Sequence, residues 1–133
     1  MRRSVLGFTL ITALLISALP AMAHHSFAAE FDSSKPITVT GVVTKVDWTN
    51  PHVWFFINVK DESGLVTNWG FEMGPPHLLQ NKGWTRTTMK LGEAVIVRGS
   101  MAKNGSPRGN ARSVTTPDGK KLGAASSEAA PQP

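Results

Sequence analysis

A run with a two-residue period between two turn signals constrains the fold of this chain most strongly. One set of side chains, Val53, Phe55, Ile57 and Val59, alternates with a second set, His52, Trp54, Phe56 and Asn58. A period of two fits a β-strand and not a helix. The flanking Thr49-Asn50-Pro51 and Asp61-Glu62-Ser63-Gly64 supply the Asx, proline and glycine residues that a reversal needs. We therefore predict three consecutive strands over residues 38–73, joined by two tight turns.

The first strand is expected from about Ile37 to Trp48. Its apolar parity changes at Gly41, which predicts either a β-bulge there or a sharp coil in a long, bent strand. After the third strand, a short helix is expected over His77–Lys82, because Pro76 suits the first helical position and Gly83 the C-terminal cap.

Two more strands are expected over residues 92–101 and 111–116. Three strands, a short helix and two strands is the order of the OB-fold, a small five-stranded barrel with its helix between strands 3 and 4. The sequence thus predicts an all-β, OB-fold-like barrel over residues 37–122, and an antiparallel β-sandwich is the alternative.

The first 23 residues have the pattern of a secretory signal peptide. Arg2 and Arg3 precede an apolar stretch, and Ala21-Met22-Ala23 offers small residues for cleavage. We expect periplasmic export, with an uncleaved membrane anchor as the alternative. Residues 24–36 would then form an N-terminal arm, and the low-complexity residues 123–133 a disordered tail.

Charge and cysteine content narrow the function classes. The 133 residues carry a formal charge of +5, and removal of Arg2 and Arg3 would leave only a mildly basic protein, so nucleic acid is not an expected partner. The chain has no cysteine, so no disulfide holds the fold and its stability must come from packing.

Several motifs in a fixed order resemble a bacterial family of small exported proteins of unknown function. They are HHSFAAEFD, TGVVTKVDWTNPHVWFFINVKD with its TNPHVW core, VTNWGFEMGPP, GWTR and RGNARSVTTPDGKKL. The resemblance covers nearly all of the chain after residue 23. It implies a secreted or periplasmic barrel and brings no activity with it.

Histidines suggest a copper site. Cleavage after Ala23 would give His24 a free α-amine, and this amine, its imidazole and a second imidazole form a nitrogen-rich set that suits Cu(II). His52, in the turn after the first strand, is the best placed partner, and His25 is an alternative ligand. The alternative interpretation is a frayed terminus without function. A softer copper site with Met73 and Met101 is also conceivable, but both methionines are expected in the core.

Aromatic side chains suggest a second kind of site. Trp54 and Phe56 alternate with the apolar face of their strand, and with Trp48 they offer a surface for a flat ligand or an envelope protein partner. The alternative is that the N-terminal arm, through Phe27 and Phe31, covers this face.

Basic residues around the last two strands offer an anionic ligand a rim: Arg98, Lys103, Arg108 and Arg112. A solvated edge that prevents strand pairing is the alternative. No catalytic signature stands out. The sequence therefore predicts a periplasmic binding module and not an enzyme, with copper as the candidate cofactor and an envelope protein as the alternative partner.

Overall fold

The computed structural model describes residues 27–129, and these form a mainly β fold. The signal-peptide prediction, His24 and His25 lie outside the described residues. The elements are α1 (Phe27–Glu30), β1 (Phe31–Asp47), β2 (Trp54–Lys60), β3 (Val66–Glu72), α2 (Pro76–Asn81), β4 (Ala94–Ala102), β5 (Arg108–Thr115), β6 (Lys121–Gly123) and a 3-10 helix (Ser127–Ala129). The predicted mainly β class is confirmed.

The strands form one sheet that closes on itself. Their order is β3-β2-β1-β4-β5-β6, and β3 also pairs with β5. This last pairing is parallel and joins Gly70 to Arg108 and Glu72 to Asn110. It closes a ring of five strands, with β6 added outside β5.

The core lies inside this ring. It contains alternating residues of β2 together with side chains from β1, β3, β4, β5, the adjoining loops and α2: Val43, Val53, Phe55, Ile57, Phe71, Met73, Leu79, Val95, Val97 and Val114. Phe55, Phe71 and Ile57 are fully buried, and the rings of Phe55 and Phe71 stack with centroids 5.5 Å apart. Met73 is a core residue, as expected.

Helix α2 follows β3 and has the expected end signals. Pro76 is its first residue, where a missing N–H costs nothing. Gly83 follows the last turn with φ +90°, a left-handed conformation that favours glycine. Leu79 anchors the helix to the core.

The predicted features differ from the structure most in three places. Strand β1 begins at Phe31, inside the predicted arm, because its first residues pair with Ala102 and Met101 of β4. Its bulge against β2 lies between Val43 and Lys45, after Gly41. At Gly41 a Cβ would lie 2.6 Å from the carbonyl oxygen of Asn58, so this glycine permits a close strand approach.

The predicted tail is the third difference. Residues 121–123 form a sixth strand, and Ala124 is fully buried. Gly74 donates its N–H to the carbonyl of Ala124 at 2.9 Å, and the Trp84 indole donates to the carbonyl of Gly123 at 2.8 Å. Residues 123–129 are therefore fixed to the sheet by tertiary contacts, which their composition does not reveal.

Candidate functional site

A buried carboxyl lies where the β1–β2 loop, β3 and β5 meet. Glu72, the last residue of β3, is 8% exposed and lies between Trp54 of β2 and Asn110 of β5 in the sheet register. Oε1 of Glu72 lies 3.4 Å from Nδ1 of His52 and accepts a hydrogen bond from Asn110 Nδ2 at 3.3 Å.

The environment of Glu72 changes its acidity. The pKa of Glu72 is raised from 4.5 to about 7, mainly by burial and secondly by the negative charge of Glu30, while the Asn110 hydrogen bond acts in the opposite direction. The raised pKa favours the protonated form of this carboxyl. Glu30 belongs to α1. The negative charge of this N-terminal element therefore repels the ionised carboxylate of Glu72.

Helix α1 and the start of β1 cover one side of Trp54. Phe27 and Phe31 pack with ring centroids 5.7 Å apart, and with Ala102 they form a small second core against which Trp54 rests. Lys103 fixes this segment, since its backbone N–H donates to the carbonyl of Glu30 at 2.9 Å and its Nζ donates to the carbonyl of Ala28.

The outer face of β2 carries a row of aromatic and basic groups. Lys45, Phe56, Gly70 and Arg108 are register partners across β1, β2, β3 and β5, and Trp54 lies two residues from Phe56 on the same face. We call Lys45, Trp54, Phe56 and Arg108 the aromatic strip. Nζ of Lys45 lies 5.5 Å from the Phe56 centroid, and Cζ of Arg108 lies 5.6 Å from that of Trp54, both within cation–π range.

The ring of Phe56 lies against the backbone of Gly70. A Cβ at Gly70 would come within 2.9 Å of the Phe56 ring, closer than real Cβ atoms approach a neighbour. The absence of a side chain at this position therefore makes room for the ring, as expected for a strand glycine that faces an aromatic.

A groove of about 280 Å³ adjoins the strip. It runs between α1 and the β4–β5 loop and is lined by Ala29, Glu30, Phe31, Trp54, Ala102, Lys103, Asn104, Ser106 and Arg108. Oγ of Ser106 is buried and has no hydrogen-bond partner among residues 27–129. The groove thus combines an aromatic wall, the basic groups of Lys103 and Arg108, the carboxylate of Glu30 and a hydroxyl whose hydrogen-bonding capacity is unused in this part of the chain.

The sequence-predicted site residues are only partly brought together. Trp54 and Phe56 are half-buried neighbours on the strip, whereas Trp48 is 9% exposed and belongs to the main core. The prediction that Trp48 belongs to the exposed aromatic surface is therefore wrong, because it lies in a loop where strand parity does not apply.

His52 contacts Glu72, and no group of three His, Cys, Asp or Glu suited to a metal occurs within residues 27–129.

The structure also divides the predicted basic rim in two. Lys103 and Arg108 line the groove beside Trp54, while Arg98 and Arg112 line a different groove. Glu72 and Asn110 are site residues that the sequence pattern did not indicate. Strand alternation was the one available signal for Glu72. It assigns Phe71 to the inner face of β3 and Gly70 and Glu72 to the outer face.

Fold and site together define a small, mainly β protein with a ring of strands and a half-buried aromatic strip on its outer face. The chain belongs to the family of unknown function DUF6152, whose model matches residues 13–111. No curated protein and no solved structure matches the chain. Within residues 27–129, none of the helices has the length and apolar character needed to cross a bilayer.

Proposed function

We propose that the protein is an exported binding module with an OB-type barrel, and that the aromatic strip is its docking surface for an envelope protein partner. Support for the OB type comes from the ring order β1-β2-β3-β5-β4 and the position of α2 after β3. OB-folds bind ligands on the face of strands 2 and 3 and through the 1–2 and 4–5 loops. Trp54, His52 and Ser106 occupy the corresponding positions.

The observation that carries the proposal is the placement of Arg108 over the Trp54 ring beside an open groove. Trp and Arg are the residue types that contribute most to interface energetics when they lie in a partly enclosed pocket. Lys45 is paired with Asp47 at 2.8 Å, whereas neither Lys103 nor Arg108 has a carboxylate within 4.0 Å among residues 27–129. An acidic, partly apolar surface on the partner would complement this face.

The test is site-specific photocrosslinking in cells. A photoreactive phenylalanine analogue replaces Phe56 on the strip or, as the control, Val66 at the exposed β2–β3 hairpin. We expect one crosslinked species from position 56, which disappears when Arg108→Glu is added, and none from position 66. Equal crosslinking from both positions, or crosslinking that is insensitive to Arg108→Glu, contradicts the proposal.

Copper binding through His24 is a second candidate, favoured by the contact between His52 and Glu72. Metal-ligating histidines are commonly held by a carboxylate on the other ring nitrogen, which is the role Glu72 offers at Nδ1. In the sequence, His24 lies three residues before Phe27, and Phe27 belongs to the segment that covers Trp54. His25 is the alternative ligand.

The copper proposal is tested with a Cu(II) titration after N-terminal sequencing has established that His24 leads the chain. One variant carries an extra N-terminal alanine, and a second carries His52→Ala. We expect both to bind Cu(II) at least tenfold more weakly than the unextended protein. Equal affinity in the extended variant rules out a role for the α-amine.

A further inference from the structure

We propose a second binding site, distinct from the aromatic strip: a basic groove that binds the phosphate group of an amphiphilic phosphate ester. The groove has a volume of about 290 Å³ and crosses the outer face of four strands. Its lining residues include three cations from three different strands: Arg98 of β4, Arg112 of β5 and Lys121 of β6. The lining contains no carboxylate.

A β-bulge brings two of these cations together. Arg98 opposes Ser113 and Gly99 opposes Ala111 across β4 and β5, so Arg112 is the extra residue on β5. A bulge re-aims a side chain and is common beside binding sites. Gly99 is required for this arrangement, because a Cβ there would clash with the carbonyl oxygen of Asn110. Gly99 also leaves the floor of the groove without a side chain.

Arg112 is held in place before any ligand arrives. Its Nη2 donates to the carbonyl of Gly99 at 3.2 Å and to Ser100 Oγ at 3.3 Å, and its Nε lies 3.3 Å from Glu128 Oε2. Nη1 makes no hydrogen bond within residues 27–129. A guanidinium with a fixed orientation and spare N–H groups is well suited to phosphate oxygens.

The groove retains an uncompensated positive charge. Glu128 neutralises part of the charge of Arg112 from outside the groove, and its carboxylate lines a different cavity beside Phe27. Arg98 and Lys121 have no carboxylate within 4.0 Å in the described part of the chain. Like charges on one small surface repel each other, and a bound phosphate anion reduces that repulsion.

The neighbouring groove indicates what the phosphate is attached to. This larger groove, of about 690 Å³, shares Arg112 and lies between α2 and the segment after β6, where Leu78, Gly123 and Ala125 contribute its lining together with Lys82. Leu78 is 42% exposed there. A ligand with its phosphate at Arg98, Arg112 and Lys121 can therefore lay an apolar chain against Leu78 and Ala125, which is the chemistry of an alkyl phosphate or a phospholipid.

The test compares the binding of inorganic phosphate and monomeric dodecyl phosphate to the purified protein, followed by the amide resonances of Gly99 and Ser113. We expect dodecyl phosphate to bind at least tenfold more tightly. Arg98→Gln and Lys121→Gln should each weaken both ligands at least fivefold, and Leu78→Ser should weaken only dodecyl phosphate. Lys60→Gln, which removes an exposed lysine on the β2–β3 hairpin, is the control and should change nothing.

Two results overturn the proposal: absence of binding, or an equal loss in Lys60→Gln and Arg98→Gln, which would indicate a diffuse charge effect. Because Arg98 and Lys121 are exposed, their replacement is not expected to lower the melting temperature.

Vesicles of phosphatidylglycerol in phosphatidylcholine identify the source of the phosphate. Vesicle binding that Arg98→Gln abolishes supports the site with a lipid headgroup as the source, and binding of monomeric ligand alone supports it with a free amphiphile.

Discussion

Nδ1 of His52 lies 3.4 Å from Oε1 of Glu72, and this contact joins the β1–β2 loop to the end of β3. Glu30 of α1 acts on the same carboxyl through its charge. The β1–β2 loop, the end of β3 and α1 thus all interact with one titratable group. The protonation of Glu72 therefore affects the stability of the folded protein.

The first prediction concerns the pH dependence of stability. The pKa of Glu72 is raised from 4.5 to about 7 in the folded protein, so the folded state holds this proton more tightly than the unfolded state. Its stabilising effect is fully present below pH 4.5 and is lost as the pH rises through 7. From pH 5 to pH 8 we expect the free energy of unfolding to fall by about 2 kcal/mol, allowing for solvent screening.

Urea unfolding at several pH values, in the presence of a chelator, measures this fall. Glu72→Gln should flatten the profile, because it removes the charge and keeps an acceptor for Asn110, whereas Glu62→Gln on the exposed turn should not. The pKa values of Asp32, Asp61 and Asp118 are lowered from 3.8 by local hydrogen bonds, so these groups act below the window measured. Identical profiles for the wild type and Glu72→Gln would contradict the assignment.

The second prediction concerns the cover over Trp54. Phe31 is 3% exposed and packs with Phe27, so Phe31→Ala should free α1 and cost about 3 kcal/mol, the low end for a buried Phe. In protein labelled with 5-fluorotryptophan, the ¹⁹F resonance of Trp54 should shift to a more solvent-exposed position. Ile96→Ala, on an exposed part of β4, serves as the control and should leave all four tryptophan resonances in place.

The third prediction concerns the segment after β6. Ending the chain at Leu122 removes the carbonyls that accept from Gly74 and from the Trp84 indole. Leaving buried donors unsatisfied costs about 1–3 kcal/mol each, so the melting temperature should fall by about 10 °C or more. Ending the chain after Ala129 removes none of the contacts described and should leave the melting temperature unchanged. Equal melting temperatures in the two truncations would show that the segment contributes nothing.

Strand alternation made the central part of the fold predictable from the sequence. Val53, Phe55 and Ile57 are buried because a period of two assigns them all to one face, and the Pro76 and Gly83 signals mark the ends of α2. The same reasoning assigned Trp54 and Phe56 to the outer face of β2, where they lie half-buried beside Arg108 and Lys45.

The remaining features depend on tertiary contacts that carry no periodic signal. Ala124 belongs to the main core, and its carbonyl accepts a hydrogen bond from Gly74; a low-complexity composition gives no sign of either contact. Trp48 follows the last strand residue, so parity could not assign it to the core. The pairing of Glu72 with His52 depends on the register between β2 and β3, which one strand alone does not determine.

The final prediction separates the two tryptophans that the sequence grouped together. Trp48 is 9% exposed in the main core, so Trp48→Ala should cost about 3–5 kcal/mol. Trp54 is half-buried and rests against the smaller cluster, so Trp54→Ala should cost only about 1–2 kcal/mol, since less apolar area becomes exposed. Urea unfolding of both variants measures the difference. A loss for Trp54→Ala as large as that for Trp48→Ala would make the aromatic strip a structural element and remove the basis for a docking surface there.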